Sequence, residues 1–71
     1  MTPVKFSQVG ESLYGPSWRG TLAAALSVAE RTVRRWATGD HPIPPGIPND
    51  LASLCERKAK ELTETARNLR K

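Results

Sequence analysis

The segment Ala29–Thr38 constrains the fold of this chain more than any other stretch. Wound as an α-helix, at about 100° per residue, it separates into two faces. The apolar face carries Ala29, Val33, Trp36 and Ala37, with Thr32 as its only polar residue. The opposite face carries Glu30, Arg31, Arg34, Arg35 and Thr38. We expect this helix to bury its apolar face in its own protein and to present guanidinium groups to an anionic partner.

A second short helix is predicted just before the arginine-rich one. Trp18–Leu26 is rich in alanine, which favours helix, and Ser27–Ala29 separates it from the next helix. Two short helices joined by a tight turn form the helix-turn-helix unit, whose second helix enters the DNA major groove. The pattern therefore predicts such a motif over residues 18–39. Because Ser27 and Glu30 have the spacing of a capping box, we expect the serine side chain to cap the second helix.

The residues that carry this pattern are Leu22-Ala23, Leu26-Ser27-Val28, Thr32-Val33 and Trp36. In this order they resemble the helix-turn-helix of the lambda-repressor and Cro class of DNA-binding regulators. The resemblance implies that the core between the two helices is formed by Leu22, Ala23, Leu26, Val28, Val33 and Trp36. That family usually has glycine at the place of Ser27. A domain this small also looks like the autoregulators of phages and mobile elements, including anti-CRISPR-associated repressors.

The resemblance also implies which residues contact DNA. Residues near the start and middle of the second motif helix contact bases, here Glu30, Arg31, Arg34 and Arg35. Arginine reads guanine through two parallel hydrogen bonds, worth about 1–3 kcal/mol of discrimination. For Glu30 an alternative stays open, since it suits a helix N-terminus and can pair with Arg34.

Contacts with the DNA backbone are expected from polar residues that flank the reading face. These phosphate candidates are Ser17, Arg19, Thr32 and Thr38. Gly20 lies inside a predicted helix, where glycine costs up to about 1 kcal/mol relative to alanine. Either the DNA backbone approaches there, which we favour, or the glycine relieves crowding against the first helix.

The N-terminal region predicts one more short helix. Thr2 and Pro3 suit a helix start, and the pair at Gly15-Pro16 suits its end. Phe6, Val9 and Leu13 recur at helical spacing and should face the core. Tyr14 and Trp18 are expected to pack at the corner that follows.

After Gly39 a proline-rich connection over residues 40–48 is predicted to be stiff and non-helical, with Ile43 and Ile47 pointing inward. His41 is expected to be an exposed loop residue and not a ligand.

A long helix over 49–70 follows, longer than a three-helix core of this size needs. Its seam has spacings of four and three residues, which favours pairing with a second copy; a solvated tail is the alternative. The predicted dimer interface is Leu54, Cys55, Ala59, Leu62, Ala66 and Leu69.

Composition narrows the possible functions. The chain has 71 residues, a formal net charge of +4, one cysteine and one histidine. These parts cannot assemble an internal disulfide, a multi-cysteine zinc site or a Cys/His nucleophile, so we expect no metal or cofactor. Paired acids, a nucleophile with a base and a phosphate-cradling glycine loop are also lacking, so we expect no enzyme activity. No apolar run approaches a membrane span and no signal-peptide core is evident, so a cytoplasmic protein without a membrane partner is expected. No small-molecule effector is evident.

The sequence therefore predicts one all-α domain over residues 1–71, with about three short helices and one long C-terminal helix. The expected function is sequence-specific binding of double-stranded DNA. We expect a homodimeric repressor that reads an inverted repeat with helix 29–38 in the major groove. The alternative is a protein-interaction module or antitoxin-like adaptor that acts through the C-terminal helix.

Overall fold

The computed structural model describes residues 1–71, and the fold is all-α, as predicted. Its helices are α1 (Pro3–Tyr14), α2 (Trp18–Leu26), α3 (Glu30–Thr38) and α4 (Ile47–Leu69). The molecule is elongated, with principal extents of 48 × 22 × 20 Å. None of the four helices combines the length and the apolar character that crossing a membrane requires.

Helix α1 begins and ends where the sequence predicts. The Thr2 hydroxyl oxygen accepts a hydrogen bond from the Lys5 backbone N–H at 3.1 Å, and Pro3 occupies the first helical position. This arrangement satisfies one of the N–H groups that a helix start leaves unpaired. Gly15 ends the helix at a φ of 79°, a left-handed region that glycine enters at little cost.

The turn between α2 and α3 is built on a left-handed serine. Ser27 has a φ of 58° and is the only residue other than glycine with a positive φ. The Ser27 N–H donates to the Ala24 carbonyl at 3.2 Å, and the Val28 N–H donates to the Ala23 carbonyl at 3.0 Å. This pair of hydrogen bonds is the Schellman pattern, which often uses glycine at the left-handed position.

The predicted capping role of Ser27 is wrong. The residue that precedes α3 is Ala29, in an extended conformation and with no side-chain cap, so α3 begins at Glu30. Ser27 lies too far back in the turn to cap, because it instead terminates α2. Its backbone conformation, not its hydroxyl, is what the turn uses.

The core lies between the three short helices and the first half of α4. α1 contacts each of the other helices. Two edge-to-face aromatic contacts hold the centre, with Phe6 at 5.7 Å from Trp18 and 5.8 Å from Trp36 between ring centroids. The buried apolar residues are Phe6, Leu13, Trp18, Leu22, Ala23, Val33, Trp36, Ile47, Leu51 and Leu54. Of the expected motif core, Leu26 and Val28 are only half-buried, since they lie at the rim of this cluster, as Val9 also does.

Helix α4 begins two residues earlier than predicted. Gly46 precedes it and Pro48 falls within its first turn, where proline is tolerated because its missing N–H would have no partner there. The connection is therefore shorter than 40–48. Ile47 is buried and Ile43 is half-buried, as the sequence suggested.

Only the first half of α4 covers the core. Its buried residues are Ile47, Leu51 and Leu54, and no residue beyond Leu54 is buried. The remaining residues, 55–69, form a stretch of helix about 22 Å long at 1.5 Å per residue. Its first two turns still border α1, because Cys55 lines a cleft with Val9, and Glu61 lines another with Tyr14. The assignment of Leu54 to a dimer interface is wrong, since this side chain is only 8% exposed and packs inside its own chain.

Candidate nucleic-acid interface

Helix α3 presents the arginine-rich face to solvent. Val33 and Trp36 point inward and are 0% and 6% exposed. The side chains expected to contact bases, Glu30, Arg31, Arg34 and Arg35, are all exposed. The strong segregation of polar and apolar residues in the sequence explains this orientation, because only one rotation of α3 buries both Val33 and Trp36.

Two of the three arginines on α3 make no ion pair within the protein. Arg34 Nη2 lies 3.0 Å from Glu30 Oε2, and this is the only salt bridge in the structure. Both side chains are largely exposed, so the pair contributes at most about 1 kcal/mol and can exchange for another partner. The structure thus shows the pairing that was the alternative role for Glu30. The guanidinium groups of Arg31 and Arg35 remain available to an external anion.

Gly20 lies beside the start of α3. A Cβ atom at this position would stand 2.9 Å from Glu30 Oε1, with no atom of α1 nearby. Crowding against α1 is therefore wrong as the reason for this glycine, and approach of a DNA backbone there stays a prediction. The contact also shows that the first turn of α2 borders the polar face of α3.

The start of α2 offers the exposed groups Ser17 and Arg19. Ser17 precedes the helix, and its hydroxyl makes no capping hydrogen bond. The Arg19 guanidinium carbon lies 4.8 Å from the centroid of the Trp18 ring, a cation–π distance. Stacking on a buried tryptophan limits the rotamers of Arg19 and holds its charge beside the first turn of α2.

At the other end of α3, an open cleft of about 330 Å³ adds a histidine to the polar surface. The cleft is lined by Thr32, Arg35, Trp36, His41 and Pro42. The His41 backbone N–H donates to the Arg35 carbonyl at 3.3 Å, which fixes the loop against the helix. Sequence reasoning placed His41 in an exposed loop but missed this position beside Arg35. The only sequence signal for this position is Gly39, because a glycine can reverse the chain after the helix, and its φ is 86° in the structure.

The two threonines among the phosphate candidates differ in their surroundings. Thr32 is half-buried in the cleft just described. Thr38 is exposed, and its hydroxyl donates to the Arg35 carbonyl at 3.3 Å. The proton of Thr38 is therefore engaged within the helix, although its oxygen can still accept.

A second candidate surface lies on the part of α4 that extends beyond the core. Along it, Cys55, Ala59, Leu62 and Leu69 are exposed and Ala66 is half-buried. Leu62 and Leu69 are two of only four large apolar side chains exposed on the molecule, at 59% and 80%. Cys55 is a free thiol, and no three His, Cys, Asp or Glu residues cluster as metal ligands would.

Comparison with protein-family models, with curated proteins and with solved structures found no match for this chain.

Proposed function

We propose that this protein is a cytoplasmic, non-enzymatic regulator that binds double-stranded DNA at specific sequences, as a dimeric repressor of the lambda-repressor and Cro type. The observation that carries the proposal is α3: the second helix of a two-helix unit, anchored by Val33 and Trp36, exposes three arginines on its outer face. An α-helix fits the major groove of B-form DNA, where each base pair presents a distinct pattern of donors and acceptors.

Within this proposal, Arg31 and Arg35 read bases, since neither is paired within the protein. Arg34 and Glu30 can reach base edges by exchanging their mutual ion pair for contacts with guanine and with a cytosine amino group. Ser17, Arg19, Thr32 and Thr38 contact phosphates on either side and set the position of the helix in the groove. No cofactor or small-molecule effector takes part.

A dimer is proposed because a single recognition helix contacts only a few base pairs. Proteins of this architecture pair two such helices across a palindrome, with half-sites about 34–36 Å apart. The exposed leucines of α4, Leu62 and Leu69, are the largest apolar groups outside the body that a second chain could bury.

The experiment that tests DNA reading compares Arg31→Ala and Arg35→Ala with Arg67→Ala. Arg67 is exposed on the extended part of α4, so its removal lowers the net charge equally without touching α3. Binding is measured against a panel of single-base variants of a selected duplex. Each α3 variant should lose preference at one half-site position, by about 1–3 kcal/mol, while the control keeps the parent's preferences. Uniform loss of affinity with unchanged preferences would contradict base reading by these residues.

One observation favours a second candidate function. The C-terminal part of α4 exposes Leu62 and Leu69, which are 59% and 80% exposed, as a protein-interaction module or antitoxin-like adaptor would require. Duplex binding separates the two candidates. A regulator binds duplex DNA with a steep salt dependence, because phosphate contacts release counterions, whereas an adaptor shows little duplex affinity at moderate salt.

A further inference from the structure

The extended half of α4 carries an ordered pattern around its apolar seam. The seam consists of Cys55, Ala59, Leu62, Ala66 and Leu69. At 100° per residue, Glu56, Thr63 and Arg70 follow one edge of the seam, while Lys58 and Thr65 follow the other. In the seam itself, alanine alternates with leucine over residues 59–69. This alternation and the charges at the two ends of one edge distinguish between the ways in which two such helices can pair.

We propose that two copies of this chain pair through α4 in antiparallel orientation, with Leu62 of each copy packed against Ala66 of the other. The same register sets Ala59 of each copy against Leu69 of the other. The inference rests on the dimer of the proposed function and specifies its geometry. It does not depend on what α3 binds.

The packing of the seam favours this orientation. In the antiparallel register every layer contains one leucine and one alanine, so the four layers have equal volume and the two helices keep a constant separation. In a parallel pair each residue would meet its own copy. Layers of two alanines would then alternate with layers of two leucines, which leaves a gap at every second layer.

Charge complementarity points to the same register. Glu56 of each copy then lies across the seam from Arg70 of the other, and Thr63 meets its own copy at the centre. In a parallel pair Lys58 would face Thr63 and Thr65 would face Arg70, so neither pair would be opposite in charge. An antiparallel pairing shifted by one heptad would place Glu56 against Thr63, again without an ion pair.

The register also sets the distance between the two bodies. Each body packs on α4 near Leu51 and Leu54, and the twofold axis passes at the level of Glu64. At 1.5 Å per residue, the two bodies lie about 34 Å apart along the paired helices. This equals the separation of half-sites one DNA turn apart, about 34–36 Å. The distance joins the points at which the two bodies attach to α4, and it is of the same size as that half-site separation.

The main test is a charge exchange followed by sedimentation equilibrium of the full chain. Glu56→Arg and Arg70→Glu should each raise the dimer Kd about tenfold, because both symmetric pairs become like-charged. The double variant should restore the parent's Kd to within about twofold. The matched control is Glu64→Arg, which changes the same charge on the side of α4 opposite the seam. Single variants that behave like this control, or a double variant that stays weak, would overturn the register.

Cross-linking with a short bismaleimide tests orientation separately. In a Cys55→Ser background, Thr63→Cys should link two copies across the twofold axis. Cys55 in the parent should not link, because each Cys55 lies beyond Lys71 of the other copy. The two Cys55 thiols are therefore at opposite ends of the antiparallel pair. Efficient linkage through Cys55 without linkage at position 63 would establish a parallel pair and overturn the proposal. A chain that stays monomeric at about 100 μM, well above the μM range of weak complexes, would overturn it as well.

Failure of this inference and failure of DNA binding have different signatures. An antiparallel dimer that shows no duplex affinity would refute the proposed function and leave the pairing intact. If the dimer binds duplexes sequence-specifically but its Kd does not change with the Glu56 and Arg70 exchange, the pairing is refuted and the proposed function is kept.

Discussion

Two glycines inside helices should respond in opposite directions to the same substitution. Gly10 lies in α1 and Gly20 in α2, and replacing either by alanine should gain about 1 kcal/mol of helix propensity. What a new Cβ meets differs. At Gly10 it would lie 2.6 Å from Trp18 Cδ2 and 2.7 Å from Trp18 Cζ3, whereas at Gly20 its only close neighbour is the carboxylate of Glu30.

The size of each effect follows from these contacts. Carbon atoms pack at about 3.5–4.0 Å, so the buried Trp18 ring would have to shift by about 1 Å. Overpacking of this kind costs about 1–3 kcal/mol, and loss of the edge contact with Phe6 adds about 0.5–1.5 kcal/mol. After subtraction of the gain in helix propensity, Gly10→Ala should destabilise by about 0.5–3.5 kcal/mol, with a central value near 2 kcal/mol. Gly20→Ala should stabilise by about 0.5–1 kcal/mol, because the exposed end of Glu30 can move aside.

Thermal unfolding followed by far-UV circular dichroism measures both variants. In a domain of this size about 1 kcal/mol corresponds to about 4–8 °C in Tm. We expect Gly10→Ala to lower Tm by about 10 °C or more and Gly20→Ala to raise it by about 4 °C. A Gly10→Ala variant as stable as the parent would mean that Trp18 does not pack over this face of α1. Equal destabilisation by both changes would refute the view that only a flexible side chain borders Gly20.

Three further predictions concern the core, the turn and the phosphate contacts. Trp36→Ala should lower the free energy of unfolding, measured with urea, by about 3–5 kcal/mol. This is a large part of the roughly 4–10 kcal/mol expected for a domain of this size. An unfolding midpoint equal to the parent's would place Trp36 outside the core. Ser27→Gly should stabilise the protein by up to about 1 kcal/mol, because glycine adopts the left-handed conformation without strain. Ser53→Gly, within α4, should destabilise it by about the same amount. A change in stability of the same sign in both variants would exclude strain at Ser27. Arg19→Ala should weaken all duplexes about equally and lower the salt slope by about one unit, and a change in base preference would show that Arg19 reads sequence.

The sequence predicted the helices well because their boundaries are marked by local chemistry. Thr2 and Pro3 start α1, and Gly15 and Gly39 end their helices in left-handed conformations that side chains disfavour. The orientation of α3 was equally readable, since its apolar and charged residues occupy opposite faces. Such signals depend only on neighbours in the chain, so they survive without knowledge of the fold.

What the sequence did not reveal depends on contacts between distant residues. Gly10 carries no mark of the tryptophan that packs on it, and Gly20 none of the carboxylate beside it. Leu54 was grouped with the apolar seam of α4, but it lies one residue off the spacing of that seam and packs inward with Leu51. Ser27 matched a capping pattern by spacing alone, and the competing demand of ending α2 decided its conformation.

Selection of bound duplexes from a random pool by the full chain tests the central claim most directly. The account predicts enrichment of an inverted repeat whose half-sites lie about one helical turn apart, with guanines at positions that the α3 arginines reach. The same selection with Arg31→Ala and Arg35→Ala combined should lose those guanines. A pool that stays random after repeated rounds, although the parent chain is folded and dimeric, would contradict DNA reading by α3.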